Sequence, residues 1–200
     1  FGTMIQVINR GKDKLYLDRI ISRICIALIV LISQKTVLKS RPIISILHSF
    51  IAWAFVLYMI VNILDVIYGF TMMSLSHQLN IIGNIYRLFV DIFSVAAVVA
   101  TAFFLIRRFI ISSDYLKYHE NILIDKSTLS SIRQDSLIVG FFIILHIGFR
   151  FIGESIAIQI EGIDSWQPFA SYASVIWIGI NANTLIMYQH VAWWIAIGLI

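Results

Sequence analysis

The sequence predicts an all-α integral membrane helical bundle, and three observations carry that prediction. Of the 200 residues, 60% are hydrophobic and only 13% are charged. The mean hydropathy of +0.89 lies outside the range of soluble domains. The apolar residues are also gathered into separate runs of about 20, the length an α-helix needs to cross a bilayer, with cations at their ends. Four to five transmembrane helices plus an amphipathic interfacial helix are expected, in a single membrane domain over 1–200. The chain opens at Phe1 without a methionine and closes at Ile200 inside an apolar run, so it reads as a fragment of a longer polypeptide.

Taken in order, "FGTMIQVINR" reads as the end of a preceding span. The stretch about 15–34 follows, and its unbroken apolar core, Ile24 to Ile32, is too short to cross. Arg19, Arg23 and Lys35 bracket it closely, which favours a helix lying at the membrane surface over a fifth span. Spans are then expected at about 43–64, 88–106, 137–157 and 172–200. Orientation follows from the cations. Eight lie between Arg10 and Arg41 and five between Arg107 and Arg133, whereas the connections 70–84 and 158–171 hold none. The positive-inside rule assigns the N-terminal segment and the 107–135 loop to the cytoplasm of a multi-pass inner-membrane protein.

Several chemistries are excluded at once. The single cysteine, Cys25, rules out a disulfide framework or a self-contained thiolate cluster, so any iron–sulfur centre belongs to a partner. No Gly-rich phosphate loop or internal repeat is present, and the cations cap spans without forming the aromatic-interleaved patch of a nucleic-acid binder.

Chemistry is expected on polar stripes within the spans. In "ILHIGFRFIGES", His146, Arg150 and Glu154 are four residues apart and share one helix face. His48, Tyr58, Asn62 and Asp65 fall on one face of the first span, and Arg87 and Asp91 form an i, i+4 pair on the next. Ionisable side chains in a bilayer cost several kcal/mol unless paired or wet, so these stripes face the bundle interior. Arg150 with Glu154, and Arg87 with Asp91, are spaced to pair within their own helices. His146 is read either as a packed, hydrogen-bonded histidine or as a site residue. His77 and His119 read as solvated, and Trp166, Trp193 and Trp194 as interface anchors. His48, roughly 10 Å past Arg41 into the bilayer, has little structural use there, and haem ligation explains it directly.

"SRPIISILHSFIAWAFVLYMIVNILDVIYG", then "FFLIRRFI" and "QHVAWWIAIGLI", resemble the cytochrome b-type gamma subunit of respiratory nitrate reductase. They are closer still to the related membrane domain of heterodisulfide-reductase-type iron–sulfur oxidoreductases. The resemblance runs from about Lys35. It implies a five-helix anchor that passes electrons between a quinone pool and an iron–sulfur protein or domain on the cytoplasmic side, beside other membrane subunits. It also implies b-type haem, here one at most. The family pattern sets two histidines ten apart on the first ligand-bearing helix and two more on the last. In this chain His48 is followed ten residues on by Tyr58, and the corresponding place on the last helix falls near Ala196. His190 and His146 are the substitute ligands, with Arg150 countering Glu154, Asp65 or a haem propionate. Tyr58, Asn62, Asp65 and Glu154 are the expected quinone or proton path. The competing expectation is a haem-free structural anchor of a larger respiratory or photosynthetic complex, and a small transporter ranks below both.

Overall fold

The computed structural model describes residues 2–11, 19–33, 42–71, 75–111 and 126–199. Every regular element among them is helical, as the composition predicts. The chain divides into two compact units, Phe1–Arg41 and Pro42–Ile200. The first contains α1 (Gly2–Asn9) and α2 (Ile20–Ser33). The apolar core Ile24 to Ile32 lies within α2, while the ends of the expected 15–34 stretch fall outside the described residues, as does His119.

The second unit contains α3 (Pro42–Thr71), α4 (Leu75–Gln78), α5 (Asn80–Phe109), α6 (Lys126–Glu161), α7 (Pro168–Ser174) and α8 (Ala182–Gly198), with a 3-10 turn at Val175–Trp177. Three of these, α3, α5 and the Ser131–Glu161 part of α6, are long and apolar enough to cross a membrane. The chain is a multi-pass membrane protein. A helix of 30 residues rises about 45 Å against a hydrocarbon core of about 30 Å. The apolar runs expected at 43–64, 88–106 and 137–157 each lie within a longer helix.

The stretch expected as one span at 172–200 is broken. Gly179 takes the left-handed region at φ +85°, and Asn181 caps α8 by accepting from the Asn183 N–H at 2.9 Å. A left-handed residue followed by a capping side chain ends one helix and starts another, whatever the hydropathy. Only 17 residues remain in α8.

Packing places α5 at the centre, with α3 and α6 against it, and α8 against α6. The buried face of α5 includes Ser94, Ala97, Ala100 and Thr101. Within lipid, helices gain nothing from hiding apolar surface, so small residues that permit close approach do the joining. Ala54, Tyr58, Ala97 and Ile147 form the core where α3, α5 and α6 meet. At Gly83, α4 lies close against α5. A Cβ at Gly83 would lie 1.8 Å from the Ser76 carbonyl oxygen, so no larger residue fits.

Candidate functional site

Antiparallel neighbours bring the late residues of α3 and α6 beside the first turns of α5. Asp65, Arg87, Asp91, Arg150 and Glu154 consequently surround one polar cavity of about 320 Å³. Asp65 stands about 35 Å along α3 from Pro42, so this cavity belongs to the end of the bundle bearing the 72–79 and 162–181 connections. Water reaches such an end more easily than it reaches the bilayer centre.

Arg150 and Arg87 do not pair with the carboxylates four residues on but tie elements together, and for Arg150 the partner is Asp65, one of those the sequence offers. Arg150 Nη1 lies 2.6 Å from Asp65 Oδ2 on α3, and Glu154 instead accepts from Gln167 Nε2 at 2.8 Å. Arg87 reaches Asp164 at 3.1 Å and, within α5 itself, donates to Asn84 at 2.8 Å. Asp91, only 2% exposed, accepts from the backbone N–H of Phe169 at 2.7 Å and of Ala170 at 2.9 Å. It thus supplies, from another helix, the carboxylate that a helix N-terminus favours. Each correction has the same reason. A helical pair at i, i+4 is worth only tenths of a kcal/mol, whereas buried charges between helices must find partners. Together with Trp177 Nε1 donating to Ser155 Oγ at 2.9 Å, these ties fasten the 162–181 segment over the cavity.

A second cavity of about 460 Å³ lies between α3 and α6. Its walls are mostly apolar, including Ile51, Ala54, Phe55, Ala97, Phe142 and Ile147, and its polar groups are Tyr58, Asn62 and His146. Phe55 and Phe142 are 73% and 43% exposed, so the mouth of this cleft faces sideways, towards lipid.

Tyr58 lines both cavities. Its hydroxyl pairs with Ser94 Oγ at 2.7 Å. Ser94 already donates to the Val90 carbonyl, so Tyr58 is the donor of the pair. On its cleft side the Tyr58 ring meets His146 edge-on at 5.6 Å, and Phe142 stacks on that imidazole at 6.3 Å. His146 Nδ1 bonds the Ala196 carbonyl oxygen at 2.9 Å.

Of the expected site residues, Tyr58, Asn62 and His146 are gathered at the cleft, and Tyr58, Asp65, Arg150 and Glu154 at the polar cavity. The two remaining histidines are elsewhere. His48 is exposed on α3 with its ring edge-on to Phe104 at 6.1 Å, and His190 is exposed on α8. Among the described residues, His146 is the only histidine lining either cavity, and no group of three or more His, Cys, Asp or Glu side chains is placed to hold a metal ion. Among the described residues, His48, His146 and His190 do not line one common cavity. Ser94 and the Ala196 carbonyl are beyond the reach of sequence, since a serine or a backbone oxygen carries no signal in an apolar helix, and Gln167, in the connection before α7, is an ordinary polar loop residue by sequence.

No protein-family model matches the chain, and neither the curated proteins nor the solved structures offer a significant match.

Proposed function

We propose that the chain is the membrane electron-transfer subunit of an oxidoreductase complex, with a lipophilic quinone in the cleft at Tyr58, Asn62 and His146. The carrying observation is the junction at Tyr58, where an apolar cleft open towards lipid adjoins a polar cavity that holds carboxylates. Quinone chemistry needs both surroundings: apolar walls reachable from the bilayer, and groups that exchange the protons accompanying the electrons. Asp65 and Glu154 serve that exchange, and Arg150 holds their charge in place.

In this reading the electron partner is an iron–sulfur protein or domain docked on the basic cytoplasmic side of an inner membrane. α8 serves as the fourth crossing, and α2 lies at the surface. The single b-type haem implied by the family resemblance would be held by His48 with His190, His146 or a ligand outside the described residues. The alternative, a haem-free structural anchor, draws its support from the Arg150–Asp65 pair and the ties to the 162–181 segment.

Photoaffinity labelling tests the reading. An azido-naphthoquinone presented to the protein in nanodiscs is expected to label peptides spanning 51–62 and 139–147, and unlabelled naphthoquinone should compete. Labelling confined to other helices, or none above a denatured control, overturns it.

A further inference from the structure

The two compact units differ sharply in charge. Phe1–Arg41 holds eight Lys and Arg residues against the two carboxylates Asp13 and Asp18, a net +6. Pro42–Ile200 holds seven cations against nine carboxylates, a net −2. The positive balance of the protein therefore resides wholly in its first 41 residues. Within them α2 is strongly apolar, and none of its 14 residues is buried. At about 21 Å it is shorter than a hydrocarbon core of about 30 Å. At 100° per residue, the hydroxyl and charged side chains Ser22, Arg23 and Ser33, with Arg19 just before the helix, fall within an arc of about 100°. Ile21, Ile24, Leu28 and Leu31 lie on the side away from that arc, and all four are exposed. A helix so built rests along a bilayer surface, its apolar side among acyl chains and its arginines reaching up to the headgroups. By sequence, Arg10, Lys12 and Lys14 come before α2 and Lys35, Lys39 and Arg41 after it, none more than ten residues away. Seating the helix brings these cations to headgroup level, where each gains from an anionic lipid and little from a zwitterionic one.

Resting on the surface placement of α2 given above, we infer that Phe1–Arg41 is a binding surface for acidic phospholipid, which it gathers around α2. The apolar face favours a bilayer over an acidic protein as the partner: a protein surface would match the cations, but only acyl chains also cover Ile21, Ile24, Leu28 and Leu31 along the whole helix. The arrangement of charge agrees, because cations on both sides of an apolar helix meet a sheet of headgroups and not a single docked patch. The connections 70–84 and 158–171 are the contrasting surface. They hold no cation, and the second carries Glu161 and Asp164, so they give acidic lipid no reason to collect.

Energy transfer in vesicles tests this on the full chain. The donor dye sits on Cys25, the one cysteine of the sequence and exposed on α2. The acceptor is a trace of tail-labelled phosphatidylglycerol or tail-labelled phosphatidylcholine in phosphatidylcholine vesicles. Transfer to the labelled phosphatidylglycerol is expected to exceed that to the labelled phosphatidylcholine about twofold, and 1 M salt, with a screening length of about 3 Å, should abolish the difference. The triple change Lys35→Gln, Lys39→Gln, Arg41→Gln should lower transfer to phosphatidylglycerol alone. Because the two lipids are compared on the parent, the result stands even if the variant fails to fold. A dye on Ser165→Cys in a Cys25→Ser background should show no preference for phosphatidylglycerol. Equal transfer from Cys25 to the two lipids overturns the inference, leaves the surface placement intact and assigns the cations to an acidic protein. Transfer to neither lipid overturns the placement and the inference with it. A preference that survives 1 M salt, or that is as large from Ser165→Cys, also overturns the inference, because the attraction is then not electrostatic or not local to the N-terminal unit.

Discussion

Arg150 on α6 and Asp65 on α3 meet at 2.6 Å, and through them two helices on either side of α5 are joined directly. Their side chains are only 20% and 13% exposed. A solvated pair contributes little, but removing one partner from a withdrawn pair leaves an uncompensated charge, which is costly.

Arg150→Leu should accordingly destabilise the bundle by on the order of 3 kcal/mol. The paired change Arg150→Leu with Asp65→Leu should cost less than the sum of the two single changes, because neither charge is then left alone. Thermal melting in detergent with all three variants measures this. An Arg150→Leu protein that melts and accumulates like the parent contradicts the assignment.

Asp91→Ala should loosen the 162–181 segment without unfolding the spans. Two backbone N–H groups lose their acceptor, at a cost of about 1–3 kcal/mol. Hydrogen exchange at the Phe169 and Ala170 amides should accelerate, with the centre of α5 unchanged. Unaltered protection at those two amides counts against the cap.

At Gly83 the expectation is steric. Since the added methyl would overlap the Ser76 backbone oxygen, Gly83→Ala must displace α4 and should lower the melting temperature. Gly148→Ala is the control, because nothing lies within 4 Å of the place its Cβ would take. Equal melting of the two variants would show that α4 does not approach α5 so closely.

Topology is open to a labelling test in a Cys25→Ser background. Ser131→Cys and Ser165→Cys flank the crossing part of α6, and both positions are exposed. A membrane-impermeant maleimide should reach Ser165→Cys from outside intact cells and Ser131→Cys only in inverted vesicles. Labelling of both from one side means that α6 does not cross.

The helices are more legible in the sequence than the contacts between them. Runs such as 88–106 announce a span because a bilayer tolerates little else. The helical extensions beyond them stay hidden because polar helix ends look like loops to a hydropathy measure. The break before α8 does leave a trace, in Gly179 and Asn181, but an apolar stretch of adequate length outweighs it. Arg150 and Asp91 are recognisable as residues that need partners. Which partners they take depends on the stagger and rotation of neighbouring helices, and that information is spread over every small residue along α5. His48 shows the limit most plainly. The spacing sets it on one polar face with Tyr58, Asn62 and Asp65, yet the other three line the cavities and His48 is exposed.

The cap at Asp91 also sets a timetable for assembly. Its donors lie 78 and 79 residues further along the chain, so at about 5–20 residues per second roughly 4 to 16 s of synthesis separate the carboxylate from its first donor. During that interval α5 has been made, but the groups that make Asp91 tolerable in the bundle have not. Until the segment bearing Phe169 and Ala170 emerges, the Asp91 carboxylate lacks both backbone donors. A late-made segment thus completes the hydrogen bonding of a helix made well before it.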